Sequence, residues 1–123
     1  MKKTLLLLGF ISILLTACGN AGTYETIKIS EVTSYQDNGY IIVDVREQDE
    51  FAEGHIENSY NVPLSQLQNK KFDPLTKEEK YIIICRSGNR SQTASNILIE
   101  NGFEIVNVEK GITSWPGTLV KNK

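Results

Sequence analysis

The sequence predicts an α/β domain with a mostly parallel sheet covered by helices on both faces. Two β-branched apolar runs, Tyr40–Val45 and Tyr81–Cys85, read as buried strands, because a parallel strand covered on both sides is apolar throughout rather than alternating. Helical segments and turn residues separate these runs from each other and from a third, Phe103–Val108, and strands alternating with helices argue for parallel crossovers. At 123 residues, with 40% hydrophobic and 23% charged content, the chain has room for a single domain.

The elements follow in order. Residues 1–17 read as a signal peptide, in which Lys2 and Lys3 precede an apolar run from Leu5 to Leu15. That run is too short for a spanning helix, which needs roughly 20 residues. Residues 18–25 are mostly small and polar and read as a tether, and the domain is assigned to residues 26–120. Thr26–Ser30 alternates like a short edge strand, Ser30 is placed to cap a helix through Asn38, and Gly39 suits a left-handed stop.

After the Tyr40–Val45 strand, a short helix is expected over Glu47–Glu53 with Gly54 as its stop. Asn61–Pro63 reads as a brief extended piece, with Ser65 capping another helical turn. Phe72–Lys80 is expected as loop or short helix, since Asp73-Pro74 is turn chemistry and Thr76–Glu79 has the spacing of a capping box. Ser91–Asn101, with Ala94, Ile97 and Leu98 on one stripe and Gly102 after it, reads as the longest helix of the domain.

Composition excludes several functions. The formal charge is −2 and the basic residues form no cluster, so nucleic acid is not an expected partner. His55 is the one histidine and no Cys/His ligand cluster exists, so neither a metal site nor a cofactor is expected. The two cysteines, Cys18 and Cys85, occupy such different settings that they do not read as a disulfide pair.

Cys85 ends a buried strand and is followed at once by a glycine-containing turn and a helix, the position where open α/β sheets bind ligands. Backbone N–H groups from Arg86, Ser87, Gly88, Asn89 and Arg90 can converge there as the helix begins. The helix dipole and the two arginines add positive potential that favours a thiolate. An inert buried thiol is the bland alternative, but two arginines and a glycine turn suit a reactive sulfur better.

The ordered set Tyr40–Glu47, Glu50-Phe51, Gly54-His55-Ile56, Val62-Pro63, Cys85–Ser91, Gly111 and Trp115 resembles a single-domain rhodanese, a sulfurtransferase, over about residues 26–117. The resemblance implies a three-layer fold with a five-stranded parallel sheet. It also implies that Cys85 accepts sulfane sulfur as a persulfide, with Arg86–Arg90 as the cradle. Asp44 and Arg46 then brace the site as a buried pair, His55 is a hydrogen-bonded structural histidine, and Trp115 belongs to the core or the site wall. The expected partners are a small-molecule sulfur donor such as thiosulfate or a persulfide, and a thiol or cyanide acceptor, with the protein acting as a monomer. The sequence departs from the family at Lys110-Gly111 and at Glu57-Asn58-Ser59, both outside the cysteine loop.

Leu15-Thr16-Ala17-Cys18 similarly resembles the lipobox of bacterial lipoproteins, which implies lipidation of Cys18 and a domain anchored to a membrane outside the cytoplasm. Related folds use a Cys-x5-Arg loop for phosphate or arsenate, but Cys85 to Arg90 is Cys-x4-Arg, a tighter loop suited to one sulfur atom. The competing expectations are therefore a cysteine phosphatase or arsenate reductase, and a non-catalytic binding module. A thiol-disulfide oxidoreductase would need a second cysteine in the domain.

Overall fold

The computed structural model describes residues 22–122, so the segment expected to be a signal peptide, and Cys18, lie outside the described residues. Five strands form one sheet: β1 (Glu25–Ile27), β2 (Ile41–Asp44), β3 (Tyr60–Asn61), β4 (Lys80–Ile84) and β5 (Glu104–Val108), in the order β1-β5-β4-β2-β3. Every pairing is parallel, with Ile42 opposite Ile82 and Ile82 opposite Val106 across the centre. Parallel neighbours require crossovers. These contain α1 (Val32–Asp37), α2 (Gln48–Glu53), α3 (Leu64–Gln68) and α4 (Arg90–Glu100).

Side chains alternate across each strand, and the alternation divides the core into two. Val43, Val45, Tyr81, Ile83, Cys85 and Ile105 pack on one face with Leu67 of α3 and Ala94 and Leu98 of α4. Ile42, Ile82, Ile84, Val106 and Val108 pack on the other with Val32 of α1, Ile56 and Ile112. The three-layer arrangement is the one predicted, and Cys85 faces the α3/α4 layer directly beyond the end of the central strand β4.

Four local expectations are corrected. β1 begins at Glu25 and Tyr24 packs against the core, so the tether reading extends two residues too far. Ser30 lies inside a 3-10 turn, Ile29–Glu31, whose cap is Lys28: the Lys28 N–H donates to Glu31 Oε1 at 3.0 Å. Ser65 lies inside α3, which starts after Pro63, and its hydroxyl donates to Glu47 Oε2 at 3.1 Å. Thr76–Glu79 opens no helix; the Thr76 N–H instead donates to the Tyr81 hydroxyl at 2.8 Å, a tertiary bond that holds the segment as a loop. At Ser65 and Thr76 a tertiary partner outweighs the local capping preference.

Candidate functional site: the Cys85 loop

Strand β4 delivers Cys85 to its C-terminal end, and residues 86–89 bend back before α4 begins at Arg90. Gly88 makes the bend possible with φ of +105°, a left-handed conformation that residues with a Cβ rarely adopt. Its N–H donates to Cys85 Sγ at 3.1 Å, while its carbonyl accepts from Ser91 Oγ at 3.3 Å and Gln92 Nε2 at 2.9 Å. The Gly88 peptide is thus clamped on both sides, with its amide aimed at the sulfur. Among the described residues Gly88 supplies the amide that reaches Sγ, and the α4 dipole adds positive potential at the same end. Cys85 is only 1% exposed, so a reagent must present a narrow terminal atom or the loop must open. Arg86, Ser87 and Asn89 are exposed on the outside of the bend.

A second loop holds the first. Ile112 N–H donates to the Cys85 carbonyl at 2.9 Å, and Thr113 donates to the Arg86 carbonyl from its N–H at 3.2 Å and its hydroxyl at 3.1 Å. The contact is close enough that a Cβ on Gly111 would overlap the Cys85 and Arg86 backbone, and one on Gly88 would overlap the Glu109 carbonyl. Gly111 is therefore the glycine the geometry demands, while the adjacent Lys110 is exposed and unconstrained by it. Glu109 and Thr113 were not singled out by sequence reasoning, and no local signal marks them.

Asp44 and Arg46 form the buried pair expected of them. Asp44 accepts the Arg46 N–H and Nε at 3.0 Å each, and Arg46 Nη2 at 2.8 Å; Arg46 Nη2 also donates to the Gly54 carbonyl at 2.6 Å. Asn61 Nδ2 donates to both the Asp44 and Arg46 carbonyls, at 3.0 and 2.8 Å, and so ties β3 to the same corner. His55 is structural: Nδ1 lies 2.8 Å from the Phe51 carbonyl, and its ring stacks on Phe51 with centroids 3.7 Å apart. Trp115 packs, partly buried, against the α1-side core.

Arg90, expected to add positive potential at the sulfur, is paired with a carboxylate. Its guanidinium makes a bidentate pair with Glu50, at 2.6 and 2.9 Å, so most of its charge is answered before it reaches the sulfur. The pair lowers the Glu50 carboxyl to about 2, through the Arg90 hydrogen bonds above all. Arg90 is raised in turn, first by Glu50 and to a smaller extent by Cys85 and Asp44.

A cysteine held at a strand end by a clamped loop of six residues, with no histidine base beside it, has the geometry that covalent catalysis can use. No group of His, Cys, Asp and Glu capable of holding a metal occurs among the described residues. The rhodanese-like domain family matches residues 29–118, which include both loops, the Asp44–Arg46 pair and all five strands except β1.

The chain belongs to the rhodanese-like domain family. Among relatives, it is 40% identical over 87 residues to "Putative sulfurtransferase YtwF" of Bacillus subtilis, covering 70% of this chain and 84% of that protein. It is 35% identical over 91 residues to "Putative thiosulfate sulfurtransferase, mitochondrial" of Schizosaccharomyces pombe, covering 64% and 63%. The solved structure of a rhodanese-related protein from Thermoplasma volcanium superposes with a TM-score of 0.73 at 37% identity, over 80% of this chain and all of that one.

Proposed function

We propose that this rhodanese-like domain is a sulfurtransferase that carries sulfane sulfur on Cys85. The observation that carries the reading is the Gly88 N–H aimed at Cys85 Sγ within the clamped six-residue loop. In the first step the Cys85 thiolate attacks the outer sulfur of a donor such as thiosulfate. The donor S–S bond breaks, sulfite leaves with the electron pair, and the sulfur remains on Cys85 as a persulfide. In the second step a thiol or cyanide attacks that outer sulfur, and the Cys85 thiolate leaves. The Gly88 amide favours negative charge on sulfur both before transfer and on departure. Asp44, Arg46 and the Glu109–Thr113 loop hold the geometry, and Arg86 meets anionic donors at the rim.

Incubating the protein with thiosulfate or a small persulfide should add the mass of one sulfur atom to Cys85, and cyanide or a thiol should remove it. Cys85→Ser should lose both steps. A protein that gains no sulfur from any donor, yet hydrolyses an aryl phosphate or reduces arsenate in a Cys85-dependent way, would replace this reading with an oxyanion enzyme.

The proposal includes location: a diacylglyceryl group on Cys18 would hold the domain at a membrane, outside the cytoplasm. Its support is the Leu15-Thr16-Ala17-Cys18 quartet behind a basic start and an apolar run. Mass spectrometry of the N-terminal peptide from membrane-fractionated cells should find a lipidated Cys18. An unmodified N-terminus on released protein would remove the anchor.

A further inference from the structure

Beside the Cys85 loop is a cavity of about 320 Å³, large enough for a small molecule, lined by Arg46, Glu50, Glu53, Arg86, Ile112 and Leu119 among others. Its four charged side chains are formally balanced, but they are not equally available. Arg46 is committed to Asp44 at 2.8 Å, and Glu50 to Arg90 at 2.6 Å. Arg86 and Glu53 are both exposed, and neither has an ion-pair partner within 4 Å among the described residues. The charges left for a ligand are therefore one cation, Arg86, adjacent in sequence to Cys85, and one anion, Glu53, in the same lining. Ile112 and Leu119 add an apolar wall; Leu119 is held there by the exchange of backbone hydrogen bonds between His55 and Val120, at 2.8 and 2.9 Å.

A dianion such as thiosulfate gains from Arg86 but is repelled by Glu53. A small molecule with both a carboxylate and an ammonium finds a partner for each. We infer that Glu53 is a specificity-determining residue that selects a low-molecular-weight persulfide with a zwitterionic, amino-acid-like headgroup over thiosulfate. The inference rests on the sulfurtransferase reading and names its donor class. The transfer balances without an external oxidant or reductant. The Cys85 thiolate attacks the outer sulfur of a protonated persulfide, the donor S–S bond breaks, and the donor leaves as its thiolate. The proton stays on the transferred sulfur.

Three donors separate the terms: cysteine persulfide, N-acetylcysteine persulfide, which lacks the ammonium, and thiosulfate. The readout is the rate of sulfur loading on Cys85 for the wild type, Glu53→Gln and Glu53→Asp. The wild type should load faster from cysteine persulfide than from its N-acetyl form. Glu53→Gln should erase that preference and raise loading from thiosulfate by about threefold to tenfold, the size expected for removing one partly screened like charge. Glu53→Asp should keep the wild-type preference, and the thiosulfate gain in Glu53→Gln should shrink at high salt. A merely structural role for Glu53 would move all three donors in the same direction, and that result overturns the inference. Unchanged donor ratios in a wild type and variant that both load sulfur overturn it too, and leave the sulfurtransferase reading intact. Failure of the wild type to load from any of the three overturns both.

Discussion

Glu50 on α2 holds Arg90, the first residue of α4, in a bidentate ion pair across 40 residues of sequence. Glu50 Oε1 also accepts the Glu47 N–H at 3.3 Å, so one carboxylate caps its own helix and anchors the helix that follows Cys85. Arg90 is thereby fixed in position at the end of the Cys85 loop, and its charge is largely spent on structure.

The pair makes stability depend on pH in a defined window. Folding lowers the Glu50 carboxyl from 4.5 to about 2, so the native state favours the charged form. The stabilisation is complete above the unfolded value near 4.5 and is lost as pH falls through about 2. Because both side chains are partly exposed, solvent screening reduces the contribution to about 1 kcal/mol. Glu50→Gln should therefore unfold at lower urea concentration at pH 7, and the difference from wild type should close between pH 4.5 and 2. A constant difference across that range would mean that Glu50 acts through packing rather than charge.

The two loops meet without room for a side chain, which makes their glycines directly testable. Gly88→Ala places a Cβ on the Glu109 carbonyl at a φ of +105°, and Gly111→Ala places one on the Cys85 and Arg86 backbone. Each should cost at least about 2 kcal/mol through forced separation of the loops, to which Gly88→Ala adds backbone strain at its positive φ. Sulfur loading should fall further than stability predicts, because the Gly88 N–H would move off Sγ. The readouts are urea denaturation and intact mass after donor treatment, and full loading in a folded Gly88→Ala variant would refute the amide's role.

Asp44 is fully buried and Arg46 is 6% exposed, so removing the carboxylate leaves an uncompensated guanidinium inside the protein. Asp44→Asn should cost about 3 kcal/mol, in the range for breaking one side of a buried pair. Asp44→Asn combined with Arg46→Met should cost less than the two single changes added together. A double-mutant cycle in urea checks this, and simple additivity would show that the two residues act separately.

Much of this fold was legible because its signals are local. Strands β2 and β4 announce themselves as β-branched runs, α4 as an apolar stripe ended by Gly102, and the Cys85 loop as a glycine turn between the two. The resemblance to rhodaneses then placed Asp44 and Arg46. The Glu50–Arg90 pairing, the Thr113 brace and the Leu119 wall were not legible, since each depends on segments distant in sequence being brought together; Glu50 and Arg90 each stood in a recognised motif, but nothing local joined them. The misplaced cap at Ser65 has the same origin, whereas the one at Ser30 is lost to a neighbour in sequence. A serine in a suitable local context loses to Glu31 in one case and bonds to Glu47 in the other.

The last prediction concerns access to the sulfur. Cys85 is 1% exposed, yet the loop around it aims an amide at Sγ and its apolar neighbours belong to the main core. A thiol that faces a backbone amide but is sheltered by its loop should discriminate reagents by width. Iodoacetamide, with a narrow reacting end, should modify native Cys85 readily at neutral pH. N-ethylmaleimide should be slower by at least about tenfold after each rate is divided by its value for the unfolded chain, because reactivity follows exposure as well as thiolate character. Loading with sulfur should remove part of that discrimination, since a persulfide extends the reacting atom outward by one S–S bond, about 2 Å. The test follows labelling by mass before and after donor treatment. Equal normalised rates for both reagents would show that the loop opens freely. Protection from both, with no gain on sulfur loading, would mark Cys85 as a core thiol and remove the nucleophile from the proposed reaction.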